Sequence, residues 1–150
     1  MEQVNWICKP FAALSPYELY KIIKLRNEVF VVEQNCVFQD ADDKDQYCFH
    51  LMGLIGDDLA AYSRLVPAGV SYQCASIGRV VSNAKYRLTG AGKALMQQSI
   101  TECYHLFGKQ TLQIGAQQYL HKFYASFGFR QSSPMYLEDN IPHIEMVLEA

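Results

Sequence analysis

The segment from Tyr72 to Ala116 limits the possible folds of this 150-residue chain more than any other part of it. Tyr72–Val81 and Thr111–Ala116 have the apolar pattern of strands, and Gly90 to about Phe107 has the spacing of an amphipathic helix. Two strands joined through such a helix are parallel neighbours, and the crossover between them is right-handed. Ligands in sheets of this kind favour the carboxyl ends of the parallel strands, next to the N-terminus of the helix. The sequence therefore predicts a binding site at residues 81–93.

The remaining patterns predict one mixed α/β domain over residues 1–150, because no linker, repeat or low-complexity tract divides the chain. Ser15, Pro16 and Glu18 form a capping box with proline at the first helical position, which indicates a helix from residue 16 onward. The other predicted elements are a β-like run at 28–32, a hairpin of Cys48–Ile55 and Leu59–Leu65, a short helix over Leu120–Phe127, and closing strands at 129–132 and 144–148.

Composition excludes several classes of protein. Half of the residues are hydrophobic, so a chain of this length can bury a core without disulfide bonds or a structural metal. The five cysteines include no C-x-x-C pair, which favours reduced thiols and gives no metal site. The N-terminus lacks the pattern of a signal peptide, and no apolar run reaches the ~20 residues of a membrane helix. We therefore expect a cytoplasmic protein with no membrane partner.

The net charge of −2 argues against nucleic acid as the partner, but the charges are unevenly distributed. Residues 59–101 carry five basic residues and no acidic one, whereas residues 1–58 have ten acidic and five basic residues. The densest acids form a loop at residues 39–45 with four aspartates. Such a loop is either solvated charge or a means of attracting a cationic acceptor, and the sequence leaves both readings open.

A glycine-rich segment lies between the first strand and the helix of the parallel unit. Its core is Arg87-x-x-Gly90-x-Gly92, followed by Lys93. Glycines allow the backbone to approach a ligand, and the first N–H groups of the helix then face an anion. The segment is neither a P-loop, since Ala94 follows the lysine, nor a dinucleotide fingerprint, since Leu95 replaces the third glycine. It predicts a pyrophosphate site, and the alternative is a turn that merely starts a helix.

A second motif, Leu120–Phe129 (LHKFYASFGF), follows the first after one strand. The pair, in this order, resembles the GNAT superfamily of acetyl-CoA-dependent N-acetyltransferases. Leu25–Cys36 is similar to the opening of its ElaA-type subgroup, and the similarity continues through Ile77–Val81, Gly115–Gln117 and Tyr136–Ile144. The chain has Val37 where the subgroup commonly has proline, and Tyr119 where it often has histidine. Both departures fall where the acceptor is expected. The resemblance therefore says less about the acceptor of this chain than about its coenzyme.

The resemblance implies a GNAT fold with a central mixed sheet flanked by helices. It also implies transfer of acetyl from acetyl-CoA to an amine of a small molecule or peptide by direct attack. The backbone of Val80, Val81 and Ser82 would pair with pantetheine and serve the oxyanion. The diphosphate would lie on the loop formed by Arg87, Leu88, Thr89, Gly90, Ala91, Gly92 and Lys93.

Two side chains are predicted to move protons. The resemblance places Tyr124 near the reacting sulfur, and a phenol that is protonated at neutral pH is suited to act as general acid. Glu33 is the predicted general base, because Val31 and Val32 beside it suggest an apolar surrounding. His50, His121 and a chain of waters remain alternatives for the base.

Other functions also remain open at this point. The same loop would serve a non-catalytic sensor that binds coenzyme A, or an acyltransferase with another acyl-CoA or another acceptor. The oligomeric state is not readable from the sequence, although edge strands and ten tyrosines make a homodimer reasonable.

Overall fold

The computed structural model describes residues 3–150; Met1 and Glu2, with which the predicted domain begins, lie outside the described residues. The eight strands described are β1 (Asn5–Pro10), β2 (Phe49–Ile55), β3 (Asp58–Val66), β4 (Ala75–Ser82), β5 (Leu112–Gln117), β6 (Arg130–Gln131), β7 (Tyr136–Glu138) and β8 (Ile141–Leu148). The helices are α1 (Pro16–Arg26), α2 (Ala91–Phe107) and α3 (His121–Ala125), and α1 continues as a wider π-type turn over Asn27–Glu33.

The strands form one mixed sheet in the order β1-β2-β3-β4-β5-β8-β6, with β7 also paired to β8. All of these pairs are antiparallel except β4 with β5, which are parallel and are joined through α2. The sequence prediction of a parallel unit inside a mixed sheet is therefore confirmed.

The parallel pair separates soon after it begins. Ala75 pairs with Leu112 and Ser76 with Gln113, after which β4 runs on to Ser82 and β5 to Gln117 without further pairing. On its other side β4 stays paired with β3, with an irregularity opposite Tyr62 to Arg64. The sheet therefore opens into a gap at the carboxyl ends of β4 and β5.

Helices cover both faces of the sheet. The larger core packs α2 and α3 against the central strands, and four of the residues predicted to face inward from α2, Ala91, Leu95, Met96 and Cys103, are buried. The smaller core packs α1 against β2 and β3 through a cluster that includes Ile22 and Leu25. Among residues 3–150, no helix has the length and apolar character that crossing a membrane requires.

Local sequence signals fix the ends of the helices. The Ser15 side chain accepts a hydrogen bond from the backbone N–H of Glu18, and the Glu18 carboxylate accepts one from the N–H of Ser15. This confirms the capping box. Gly108 ends α2 with a φ of 83°, a conformation that glycine adopts without strain.

Two segments differ from the prediction. Residues 28–32 were expected to be β-like but are helical, because Val29 packs into the smaller core as a continuation of α1. Tertiary packing here overrides the β preference of valine. The prediction also missed β7 and began β8 three residues late, because the two-residue turn of Asp139 and Asn140, with φ of 51° and 62°, makes a tight hairpin.

Candidate active site

A cavity of about 410 Å³ lies where β4 and β5 part. Its walls come from the carboxyl ends of both strands, from the π-type turn, from α3 and from the β7–β8 hairpin. Six residues predicted from the sequence line it together: Glu33, Val80, Val81, Ser82, Arg87 and Tyr124. The remaining loop residues, Leu88 to Lys93, lie beyond its lining.

The end of β4 offers backbone hydrogen-bonding groups to this cavity. Because β5 has turned away, the groups of Val80 to Ser82 that face the gap have no strand opposite them among the described strands. Backbone N–H and C=O groups need partners when they are covered. An extended ligand with amide groups can therefore lie in the gap as an additional strand.

The N-terminus of α2 is open towards solvent. Gly90 occupies the N-cap position with a φ of 85° and has no side chain with which to cap the helix, and the first turn contains no acid. The first N–H groups of a helix have no partners within the helix and carry partial positive charge. A Cβ built at Gly92 would meet only Phe123 Cζ, at 4.0 Å, so packing does not demand glycine there. An anion can approach this backbone closely.

Arg87 joins the glycine loop to the cavity through an ion pair. Its Nη1 donates to Glu33 Oε2 at 2.6 Å, and its Nη2 donates to the carbonyl oxygen of Ser82 at 3.3 Å. The prediction that Glu33 has an apolar surrounding is therefore wrong. The helical turn directs Val32 to solvent, where it is 74% exposed, and places the Glu33 carboxylate on the guanidinium.

Tyr124 is buried in the cavity wall at 7% exposure. Its ring packs edge-on against Phe123 and Phe129, with centroid distances of 5.1 and 6.2 Å. Burial, with a smaller contribution from Tyr119, raises the pKa of Tyr124 to about 12. Within residues 3–150 its hydroxyl makes no hydrogen bond. The side chain is therefore a protonated donor at neutral pH, without a protein partner.

The two histidines considered as alternative bases lie outside the cavity lining. His50 is fully buried, with Nδ1 2.8 Å from the Tyr62 hydroxyl and Nε2 2.9 Å from the carbonyl oxygen of Asp45. Burial lowers the pKa of His50, and both of its ring nitrogens have partners, so its role is structural. His121 begins α3. The histidine that lines the cavity is His143, which β8 supplies.

His143 was not predicted as a site residue because no motif singles it out and the sequence does not show that β8 lies beside β5. Its position follows from register, since His143 pairs with Gln117 at the end of β5. No local motif carries that information.

Three of the four aspartates of the acidic loop are neither solvated charge nor a docking surface for a cation. Asp40 accepts hydrogen bonds from Arg26 Nε at 2.7 Å and from Arg79 Nε at 2.8 Å. Arg64 binds both oxygens of Asp42 at 2.8 Å, and Asp45 bridges Arg26 and Arg64 at 2.8 Å each. Both readings of the loop are therefore wrong for these three aspartates, which neutralise arginines from three different elements.

Two arginines of this network are buried, and arginines of the network lower the pKa of an aspartate that they contact. Arg26 is 2% exposed and Arg64 is 3% exposed. Burial by itself would raise the pKa of Asp42, but hydrogen bonds and charge from Arg64, with further charge from Arg79, hold that pKa well below its usual range. Four of the five bases of residues 59–101 are thus paired: Arg64 and Arg79 in this network, Lys85 with Asp58, and Arg87 with Glu33.

Comparison with known proteins adds to this geometry. Residues 56–150 match the family model described as an acetyltransferase (GNAT) domain. A UPF0039 protein of Schizosaccharomyces pombe is 40% identical over 151 residues and 99% of each chain. Protein ElaA of Escherichia coli is 37% identical over 148 residues, 97% of each chain, and its crystal structure superposes with a TM-score of 0.92.

A crystal structure of an acyl-CoA N-acyltransferase from Pseudomonas aeruginosa is equally similar. It matches with a TM-score of 0.93 and 38% identity, over 97% of this chain and 99% of that one. These structures confirm the predicted fold class, a mixed sheet flanked by helices.

Proposed function

The chain belongs to the GNAT acetyltransferase family, and on that premise we propose that it transfers an acetyl group from acetyl-CoA to an amine by direct attack of the nitrogen. The observation that carries the proposal is the gap between β4 and β5, because it brings Val80, Val81, Ser82, Arg87 and Tyr124 to one cavity. Residues 1–150 would form a single catalytic domain, and the cytoplasm remains its predicted location.

The coenzyme is proposed to lie along β4 and across the start of α2. The free backbone edge of Val80 to Ser82 suits the amides of pantetheine. The uncapped N-terminus of α2, Arg87 and Lys93 suit the diphosphate, since helix N-termini and cations both favour negative charge. The amine would reach the thioester from the other side of the gap.

Two protein groups would then serve the reaction. A backbone N–H of Val81 or Ser82 would stabilise negative charge on the acetyl oxygen, a contribution often worth about 3 kcal/mol. The Tyr124 hydroxyl would give its proton to the departing sulfur, because it is protonated and has no competing partner in the described chain. Glu33 was predicted as the base, but its ion pair with Arg87 supports a role beside the phosphate loop.

Gly92 provides a test of the coenzyme site that leaves the fold intact. We expect Gly92→Val to weaken binding of coenzyme A at least about tenfold, because the branched side chain would cover the helix N–H groups. The melting temperature should not fall, since a Cβ at this position has room. Gly92→Ala should show a smaller loss of affinity. Coenzyme A binding by calorimetry gives the answer, and unchanged affinity in Gly92→Val would contradict the site.

The proposed activity is tested by thiol release. Acetyl-CoA is incubated with the purified chain and a panel of small amines and peptide N-termini, and the free thiol is measured with and without each amine. We expect release that depends on an amine, together with an acetylated product seen by mass spectrometry. Tight binding of coenzyme A without such release would favour the non-catalytic sensor. Propionyl-CoA and succinyl-CoA in the same assay test the choice of acyl group.

A further inference from the structure

His143 lies in the wall of the cavity, and one of its ring nitrogens is already hydrogen-bonded to the backbone. It is 8% exposed and comes from β8, opposite the end of β5. Its Nδ1 is 2.7 Å from the carbonyl oxygen of Ile141. A carbonyl oxygen can only accept a hydrogen bond, so Nδ1 carries the proton. In the neutral ring, Nε2 is then the unprotonated nitrogen.

The Nε2 atom faces a carboxylate rather than a donor. Glu138 Oε2 lies 3.5 Å from it, and the Glu138 side chain is 62% exposed at the mouth of the cavity. In the neutral state of the ring these two atoms are both acceptors. A group with several N–H donors and a positive charge satisfies both at once, and a protonated primary amine is such a group.

A second cavity of about 350 Å³ adjoins the first at this point, and Gly115, Glu138 and Asp139 line both. Its own wall includes Tyr72 and Tyr136. Their hydroxyls meet over the backbone of β5, since a Cβ at Gly115 would lie 2.9 Å from one and 3.3 Å from the other. The second cavity therefore meets the first beside Glu138, whose carboxylate contacts Nε2 of His143.

Among the described residues, the arginines near these cavities are already paired, and Lys44, which lines the second cavity but not the first, donates to the Ser71 hydroxyl. Arg79 and Arg64 are neutralised by Asp40 and Asp42. The acids at the junction of the two cavities, Glu138 and Asp139, have no arginine or lysine partner among residues 3–150. A cationic ligand is therefore favoured at the junction, and an anionic one is disfavoured.

We propose that this junction is the acceptor site, that Glu138 binds the ammonium group of a small primary amine, and that His143 Nε2 is the general base that deprotonates it. The inference rests on the proposed acetyl transfer and names its acceptor class. It assigns the base to a residue other than Glu33, which the structure holds in an ion pair with Arg87.

In the proposed reaction the acceptor nitrogen loses two protons and the sulfur gains one. The ammonium gives one proton to His143 Nε2, and the freed lone pair forms a bond to the acetyl carbon. The carbon–sulfur bond breaks, and the sulfur takes the Tyr124 proton. The second proton lost by nitrogen restores the Tyr124 hydroxyl. One proton leaves His143 for solvent, and the products are an N-alkyl acetamide and coenzyme A.

The first test measures rates with hexylamine, phenethylamine and lysine methyl ester as acceptors. We expect His143→Gln to lower kcat about a hundredfold and Glu138→Gln to raise KM for the amine about tenfold. Neither variant should change the affinity for coenzyme A. Added imidazole should restore part of the rate to His143→Gln, which a purely structural role would not allow. His105→Gln, at an exposed position of α2, is the matched control.

The second test does not depend on turnover. Long-range ¹H–¹⁵N spectra of the four histidines of the coenzyme A complex should show the Nδ1–H tautomer for His143. Titration with phenethylamine should shift the His143 signals in the wild type and not in Glu138→Gln.

The outcomes separate the two levels of the proposal. Amine-dependent shifts at His143 without thiol release would support the acceptor site and contradict the transferase activity. Thiol release with full activity in His143→Gln, or a loss of kcat in Glu33→Gln instead, would overturn the assignment of the base. Absence of any His143 shift on adding phenethylamine would overturn the acceptor site.

Discussion

Replacing Tyr124 with phenylalanine is expected to lower kcat for acetyl transfer about a hundredfold, within the range that one general acid contributes. Tyr124 lines the cavity, its hydroxyl has no hydrogen-bond partner among residues 3–150, and burial keeps its proton in place by raising the pKa to about 12. The ring packs on Phe123 and Phe129 with or without the hydroxyl, so the fold should be unaffected.

The informative comparison is between kcat and coenzyme affinity. A general acid acts as the carbon–sulfur bond breaks, so the dissociation constant for coenzyme A should not change in Tyr124→Phe. Tyr17→Phe removes a hydroxyl from an exposed position of α1 and should leave both quantities at wild-type values. An unchanged kcat in Tyr124→Phe would exclude this residue as the acid. Loss of coenzyme affinity alone would assign it to binding.

Replacing Asp40 with asparagine is expected to lower the free energy of unfolding by about 3 kcal/mol. The two Asp40 oxygens accept from Nε of Arg26 and Nε of Arg79, each within 2.8 Å. The amide of asparagine supplies only one acceptor and turns its NH₂ group towards the other guanidinium. The change also removes a negative charge beside Arg26, which is 2% exposed.

Urea unfolding followed by fluorescence of Trp6 measures this loss. Asp43→Asn is the matched control, because Asp43 belongs to the same loop but is exposed and outside the network. Its effect should stay within about 0.5 kcal/mol. Equal effects of the two substitutions would show that the ion pairs contribute nothing specific to stability.

The structural elements that the sequence predicted correctly are those determined by residues close together in the chain. The capping box at Ser15, the helix that begins after Gly90 and the strands on either side of it each follow from neighbouring residues. The parallel pairing of β4 and β5 followed from these elements by a general rule of chain connection. The residues proposed to bind coenzyme A could be predicted for the same reason, because they belong to one strand and to the glycine-rich loop that follows it.

What sequence missed depends on partners far along the chain. The arginines that pair with Asp40 are 14 and 39 residues away, so composition showed only an acidic loop and a basic middle. Glu33 has apolar neighbours in sequence but an arginine in space, 54 residues further on. His143 reaches the cavity through the register of β8 on β5. In each case the energetic reason is a contact whose existence requires the finished sheet.

The short parallel pairing of β4 and β5 also divides the sheet mechanically. The strands β1–β4 form one part of the sheet and β5–β8 form the other. Among the described strands, the two parts meet through only two residue pairs, and the seam between them is open at the carboxyl ends of β4 and β5. A bound coenzyme arm would close that seam. By mass action, a ligand at a hundred times its Kd stabilises the folded chain by about 2.7 kcal/mol. The lifetime of this protein against proteolysis would then rise and fall with the supply of coenzyme in its surroundings.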